Sequence, residues 1–345
     1  MDIVNLIGIL ILFAPFVVIL FFANLAERRR EGGAPGTEFA VLSYLFLLLI
    51  YCFLIIVGLI IQLMGMVAQS SQAANLGVDT SAFTALGGVG PALWIPSVFG
   101  ILLLLPPLRR LLARAIPIDP ASTVHAVALS YTMLVVLNLL ATVAFGLGNM
   151  ADLLESGARE SSSAVAAALW IQAVVWLVLA VVGVGWLTRR AVKPALVRLG
   201  IVVPSPRQVA IGLAVGLAMA VAAGVASTLA DRLGLGSNEV ERLSEVVVGP
   251  LTQSALGILT LGLAAGIGEE TLFRGALQPR FGLLLATITF ALLHSQYGFS
   301  IATILVFMVG LILGILRQRQ NTSTSIIGHA TYNVTLVVLS LLGIF

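Results

Sequence analysis

The residues of this sequence best suited to chemistry lie inside its most hydrophobic stretches. Gly266-Ile-Gly-Glu-Glu-Thr-Leu-Phe-Arg-Gly275 sets two adjacent carboxylates, Glu269 and Glu270, at the end of an apolar run and follows them with Arg274. Phe290-Ala-Leu-Leu-His294 puts an imidazole in the next apolar run, and His329-Ala-Thr-Tyr-Asn333 puts an imidazole and an amide in the last. On a helix, Glu270 and Arg274 are four apart, so they share a face and can pair. Glu269 is turned by about 100° and cannot share that pairing equally. One carboxylate is then neutralised and structural, and the other is free to act as a general base. His329 and Asn333 are also four apart and project together as a two-donor edge that suits an oxyanion. His294 could orient a water or share its proton with Glu269. Each piece has a plain structural reading beside this one: an ion pair at a helix end, a packed histidine, a polar tie between helices. Ionisable groups inside membrane spans are costly and mark function, and these cluster within 65 residues of a nearly charge-free chain.

The elements that must position these groups are membrane helices. The chain has 345 residues, 59% hydrophobic and 10% charged, with a mean hydropathy of +1.10. Soluble domains carry about 25% charged residues. Apolar runs near the roughly 20 residues that span a bilayer recur along the whole length, and helix satisfies every backbone group internally. The reading is an all-α polytopic transmembrane helix bundle of about ten spans. They run roughly over 3–25, 39–64, 91–108, 121–147, 164–187, 208–230, 246–270, 281–298, 299–316 and 324–344. The alternation of a membrane β-barrel is absent. The N-terminus lacks the basic region and cleavage site of a signal peptide and reads as a retained first span.

Basic residues alternate with this count. Arg28–Arg30, Arg109, Arg110 and Arg114, the five between Arg189 and Arg207, and Arg274, Arg280, Arg317 and Arg319 all fall in odd-numbered loops, 15 of the 18 in the chain. The even loops hold Arg159, Arg232 and Arg242 among several acids. By the positive-inside rule the odd loops face the cytoplasm and both termini face outward. The expected location is the plasma (inner) membrane, with the site opening toward the cytoplasmic side. The polar stretch 65–90 reads as an outside loop. Residues 188–207, basic and holding three prolines, divide an N-terminal bundle (1–200) of unknown role from a C-terminal bundle (201–345).

The pI of about 9.4 does not indicate nucleic acid, because the net charge is only +3 and the cations are scattered. Partners are expected to be the bilayer and a membrane protein or peptide. Cys52 is the single cysteine, so no disulfide framework exists. His125 reads as an interfacial residue. The sequons at Asn321 and Asn333 fall in a cytoplasmic loop and a span and are discounted. One register is awkward: His294 lies about 20 Å along a span starting at 281, and His329 about 8 Å into one starting at 324. For them to meet, the eighth span must start later or tilt, or 275–285 must lie along the interface.

At these residues the sequence resembles the CAAX prenyl protease and bacteriocin-processing (CPBP, or Abi) family of intramembrane endopeptidases. Three family motifs stand in order: Glu269-Glu270-Thr-Leu-Phe273-Arg274-Gly275, Phe290 to His294, and His329 to Asn333. The resemblance covers about 245–345. It implies peptide-bond hydrolysis with a water activated by Glu269 and His294, an oxyanion held by His329 and Asn333, and a site held together by Glu270 and Arg274. Members act on prenylated CAAX proteins, peptides or other membrane substrates, and some serve as scaffolds or immunity factors. No cofactor is favoured. The alternative is Zn²⁺ or another divalent metal on Glu269, His294 and His329, with an open water position, although the compact His-Glu-x-x-His arrangement is lacking. A proton- or ion-coupled transporter is the other reading of buried Glu and His, against which no inverted repeat is visible.

Overall fold

The computed structural model describes residues 3–70, 86–156 and 161–345. Arg159, Glu160 and most of the 65–90 stretch lie outside the described residues. Among these residues the chain is helical without a strand; one isolated bridge joins Trp186 and Arg190. Helices α1 (Ile3–Glu31), α2 (Thr37–Ala68), α3 (Val89–Leu102), α4 (Pro106–Leu112), α5 (Thr123–Phe145), α6 (Leu147–Ser156) and α7 (Ser162–Gly183) come first. They are followed by α8 (Val192–Leu199), α9 (Pro206–Arg232), α10 (Asn238–Thr252) and α11 (Ala255–Glu270). A π-helical turn (Thr271–Leu277) leads into α12 (Gln278–Leu293), and α13 (Ile301–Arg319) and α14 (Thr322–Leu341) follow.

Eight of the described helical stretches are long and apolar enough to cross a membrane, or nine if α3 and α4, bent by 89°, count as one span. One of the eight is the 39-residue run Ala255–Leu293. It doubles back at Gly282, whose φ of 79° and ψ of 170° break the helix. Such a positive φ is cheap only for glycine. Past the break the chain returns alongside itself, because the rings of Phe273 and Phe290 meet at 5.4 Å. Seventeen residues of uninterrupted helix would hold them about 25 Å apart. This reversal separates the seventh and eighth expected spans, and the second leg starts later than 281, which narrows the mismatch between His294 and His329.

Two boundaries differ from the sequence expectation. The seventh span begins at Ala255, not 246, because Ser254 is extended (φ −146°, ψ 147°) and its hydroxyl accepts from Gly257 N–H at 3.0 Å. Such a cap starts a new helix. Residues 246–252 belong instead to α10, which Arg242 ties to Asp152 (2.7 Å) and Glu155 of α6. Residues 65–68 continue α2 and are not loop. Asn321, one of the discounted sequons, caps α14 by accepting from Thr324 N–H at 2.8 Å.

The first helices pack around Ile19, Leu47, Tyr51, Val127 and Leu179. Tyr51 is fully buried there and donates its hydroxyl to Ser130 O at 2.6 Å. Asn24 of α1 donates to Val182 O of α7 at 3.0 Å. In the later part, α14 is held between α9 and α11 by small residues. A Cβ at Gly212 or Gly266 would sit 3.0 Å from the carbonyl of Thr324 or Ile326. Without side chains in the way, backbones approach closely where lipid supplies no hydrophobic drive. Gly268 of α11 meets Ala173 of α7 in the same way, so the early helices abut the segment that carries the carboxylates.

Candidate active site

Four elements deliver the site. Glu269 and Glu270 close α11, Arg274 lies in the π-helical turn, and His294 ends the returning leg of α12. His329 and Asn333 lie on α14. The π turn, with its wider i→i+5 bonding, falls between the carboxylates and the reversal. Such turns are rare and frequent at functional sites.

Glu270 is fully buried, and its neighbours Arg274 and His329 are nearly so. Arg274 Nη1 forms an ion pair with Glu270 Oε1 at 3.1 Å. His329 Nδ1 reaches the same oxygen at 2.9 Å. Arg274 Nη2 donates to Gly310 O at 3.0 Å, and its guanidinium lies 4.1 Å from the centre of the Phe290 ring. A buried charge is tolerated when it is paired and hydrogen-bonded, and the ring face adds a cation–π contact. The carboxylate accepts, so His329 Nδ1 is the donor and Nε2 is left for other work.

Glu269 stands apart from that cluster. Its side chain is 14% exposed, and Oε2 comes within 3.9 Å of His294 Nε2. That oxygen is itself buried and has no hydrogen-bond partner among the described residues. His294 Nδ1 is 3.0 Å from Phe290 O. A carbonyl only accepts, so Nδ1 carries a proton and Nε2 is turned toward Glu269. The His294 ring stacks on Tyr297 with 5° between planes. Next to it, Ser295 accepts from Asn138 Nδ2 of α5 at 2.9 Å.

The structure thus brings Glu270, Arg274 and His329 into one cluster and Glu269 and His294 into a second. Phe290 bridges them, its ring centred 4.9 Å from His294 and 6.0 Å from His329. Asn333 follows His329 by one turn on the same face of α14. Among the described residues, no three His, Cys, Asp or Glu side chains are grouped so as to hold a metal ion. Sequence reasoning missed Gly310, whose carbonyl anchors Arg274, and Tyr297. Gly310 carried a readable signal, since Gly310-Leu-Ile-Leu-Gly314 is a small-xxx-small pattern that admits close contact. His125 accepts from Asp119 N–H at 2.9 Å through Nδ1, at the basic end of α5.

Fold and site together define a polytopic helical membrane protein with a buried charged centre near its C-terminal end. Residues 251–335 match the family of type II CAAX prenyl endopeptidases, Rce1-like, and every residue of both clusters lies in that segment. In this segment the chain is similar to CAAX-protease-type membrane endopeptidases. No curated protein and no solved structure matches it.

Proposed function

We propose that the chain is an intramembrane endopeptidase of CAAX-protease type that hydrolyses peptide bonds of a membrane-associated protein or peptide. The observation that carries this reading is the unpartnered, buried Oε2 of Glu269 facing Nε2 of His294 at 3.9 Å. One water can bond to both atoms across that gap. Glu269 takes the proton of this water as it attacks the scissile carbonyl, and His294 fixes the water's orientation. His329, through the Nε2 that Glu270 leaves free, and Asn333 stabilise the oxyanion. Glu270 holds α14 to α11 through His329, and Arg274 joins the same carboxylate to the Gly310 carbonyl of α13.

In this reading the reaction is independent of metal; the alternative is a divalent metal on Glu269, His294 and His329, of which the structure puts the first two in one cluster and the third in the other. In this reading the site opens toward the cytoplasmic side of the plasma membrane, which the arginines in the last turns of α1 and α13 support by the positive-inside rule. Residues 201–345 form the proteolytic bundle and 1–200 the bundle that abuts it.

The decisive experiment compares membrane-derived peptides from cells carrying the parent or Glu269→Gln. Fragments that vanish with the substitution, at equal protein abundance, are the expected result. A cellular effect untouched by the substitution would assign the chain to a non-catalytic scaffold or immunity role. Loss of ion-coupled uptake with an unchanged peptide profile would assign it to a transporter.

A further inference from the structure

A cavity of about 670 Å³ lies between α1, α5, α7 and the returning leg of α12, separate from both clusters of the site. It follows one face of α1 from Phe13 to Glu31, a length of about 27 Å at 1.5 Å per residue. A hydrocarbon chain can lie along a cavity of that length. Its far walls are mostly apolar, with Phe13, Phe16, Leu20, Trp176 and Leu293, interrupted by Thr132, Asn138 and Gln172.

The near end is charged, and its charges do not balance. Five arginines line it, Arg30, Arg189, Arg190, Arg198 and Arg280, against three carboxylates, Glu27, Glu31 and Asp119. The carboxylates are already used. Arg30 takes Glu27 at 2.7 Å and Asp119 at 2.8 Å, and Arg189 takes Glu31 at 2.8 Å. Arg190 donates to Val184 O and Arg198 to Gly275 O, both backbone carbonyls. Among the described residues, none of Arg190, Arg198 and Arg280 has a carboxylate partner. Burial and then the repulsion of Arg280, Arg190, Arg317 and Arg189 push Arg198 down to about 10. A positive-inside bias explains why arginines lie at this end. It does not explain why three from separate elements converge unpaired on one cavity.

We infer that this cavity binds a single-chain anionic amphiphile, its phosphate on Arg190, Arg198 and Arg280 and its hydrocarbon chain along the mostly apolar far walls. Arginine forks match phosphate oxygens, and the two uncompensated charges supply the preference for an anion. The inference is independent of the proteolytic reading, because none of these residues touches Glu269 or His294 in the structure.

The test uses the purified full-length protein in a neutral detergent. It measures retention of lysophosphatidylglycerol and of lysophosphatidylcholine with the same acyl chain by native mass spectrometry. The anionic lipid should be retained at least about tenfold better. The triple variant R190Q/R198Q/R280Q should lose that preference. The single variant R280Q, at an exposed position, should lose part of it and guards against misfolding of the triple one. Glu269→Gln should keep it. Equal retention of the two lipids, or a preference unchanged by the triple variant, overturns the inference. Inorganic phosphate that displaces the lysolipid at equal concentration also overturns it, by showing a free-anion site with no role for the far walls.

Discussion

His329 Nδ1 stands 2.9 Å from Glu270 Oε1, and Arg274 Nη1 stands 3.1 Å from the same atom. One oxygen thereby fastens α14 and the π turn to the end of α11. Replacing Glu270 by Gln leaves a buried guanidinium without its counter-charge, a change that costs about 3–5 kcal/mol. Glu270→Gln should therefore lower the thermal unfolding midpoint sharply and reduce the amount recovered from membranes. Glu269→Gln, which breaks no pair of that kind, should unfold close to the parent. Equal midpoints for the two variants would refute this division between a structural and a chemical carboxylate.

Catalysis should show the opposite sensitivity. A positioned general base contributes about 10²–10⁴ in rate. Glu269→Gln should cut peptide-bond hydrolysis at least about a hundredfold while the helical content by circular dichroism stays unchanged. Retained cleavage at more than a tenth of the parent rate would remove Glu269 from the role of base.

Chelation separates the two chemistries that Glu and His can support. Purified protein dialysed against a strong chelator should keep its cleavage rate, and elemental analysis should find zinc well below one atom per chain. Loss of activity on chelation, restored by Zn²⁺, would transfer Glu269, His294 and His329 to a metal-ligand role.

Gly310 has no side chain, yet it governs the site. A Cβ there would lie 2.8 Å from Phe290 Cδ1 and 3.2 Å from Arg274 Nη2. Phe290 is the ring between the two clusters, so it has no free direction in which to yield. Gly310→Ala should cost about 1–3 kcal/mol by overpacking and should depress turnover more than substrate affinity. An enzyme with parental turnover would show that the Phe290 position is not critical.

Much of this was legible in the sequence, for identifiable reasons. The span expected at 208–230 is α9, Pro206–Arg232, because a helix surrounded by lipid must be apolar along its whole length. The pairing of Glu270 with Arg274 and the separation of Glu269 followed from helical spacing alone. The break at Ser254 was hidden, because Val246, Val247 and Val248 made α10 look like the start of the next span. The reversal at Gly282 was also hidden, since one glycine among 34 carries no mark of its φ. The meeting of His329 with Glu270, rather than with Glu269, depended on how α14 lies against α11, and no local pattern encodes that. The convergence of Arg190, Arg198 and Arg280 was out of reach for the same reason.

The fold-back at Gly282 also orders events during biosynthesis. The chain between residues 255 and 297 is a self-contained helical hairpin that places His294 beside Glu269. Contacts this close in sequence close quickly once both legs are in the bilayer. Glu270 and Arg274 receive their imidazole partner only when α14 arrives, 35 residues after His294. On the proposed mechanism, a ribosome-bound chain that has emerged only as far as α13 holds Glu269 and His294 without His329 and Asn333. Such a chain would pass among other unfolded membrane segments before it could cut them.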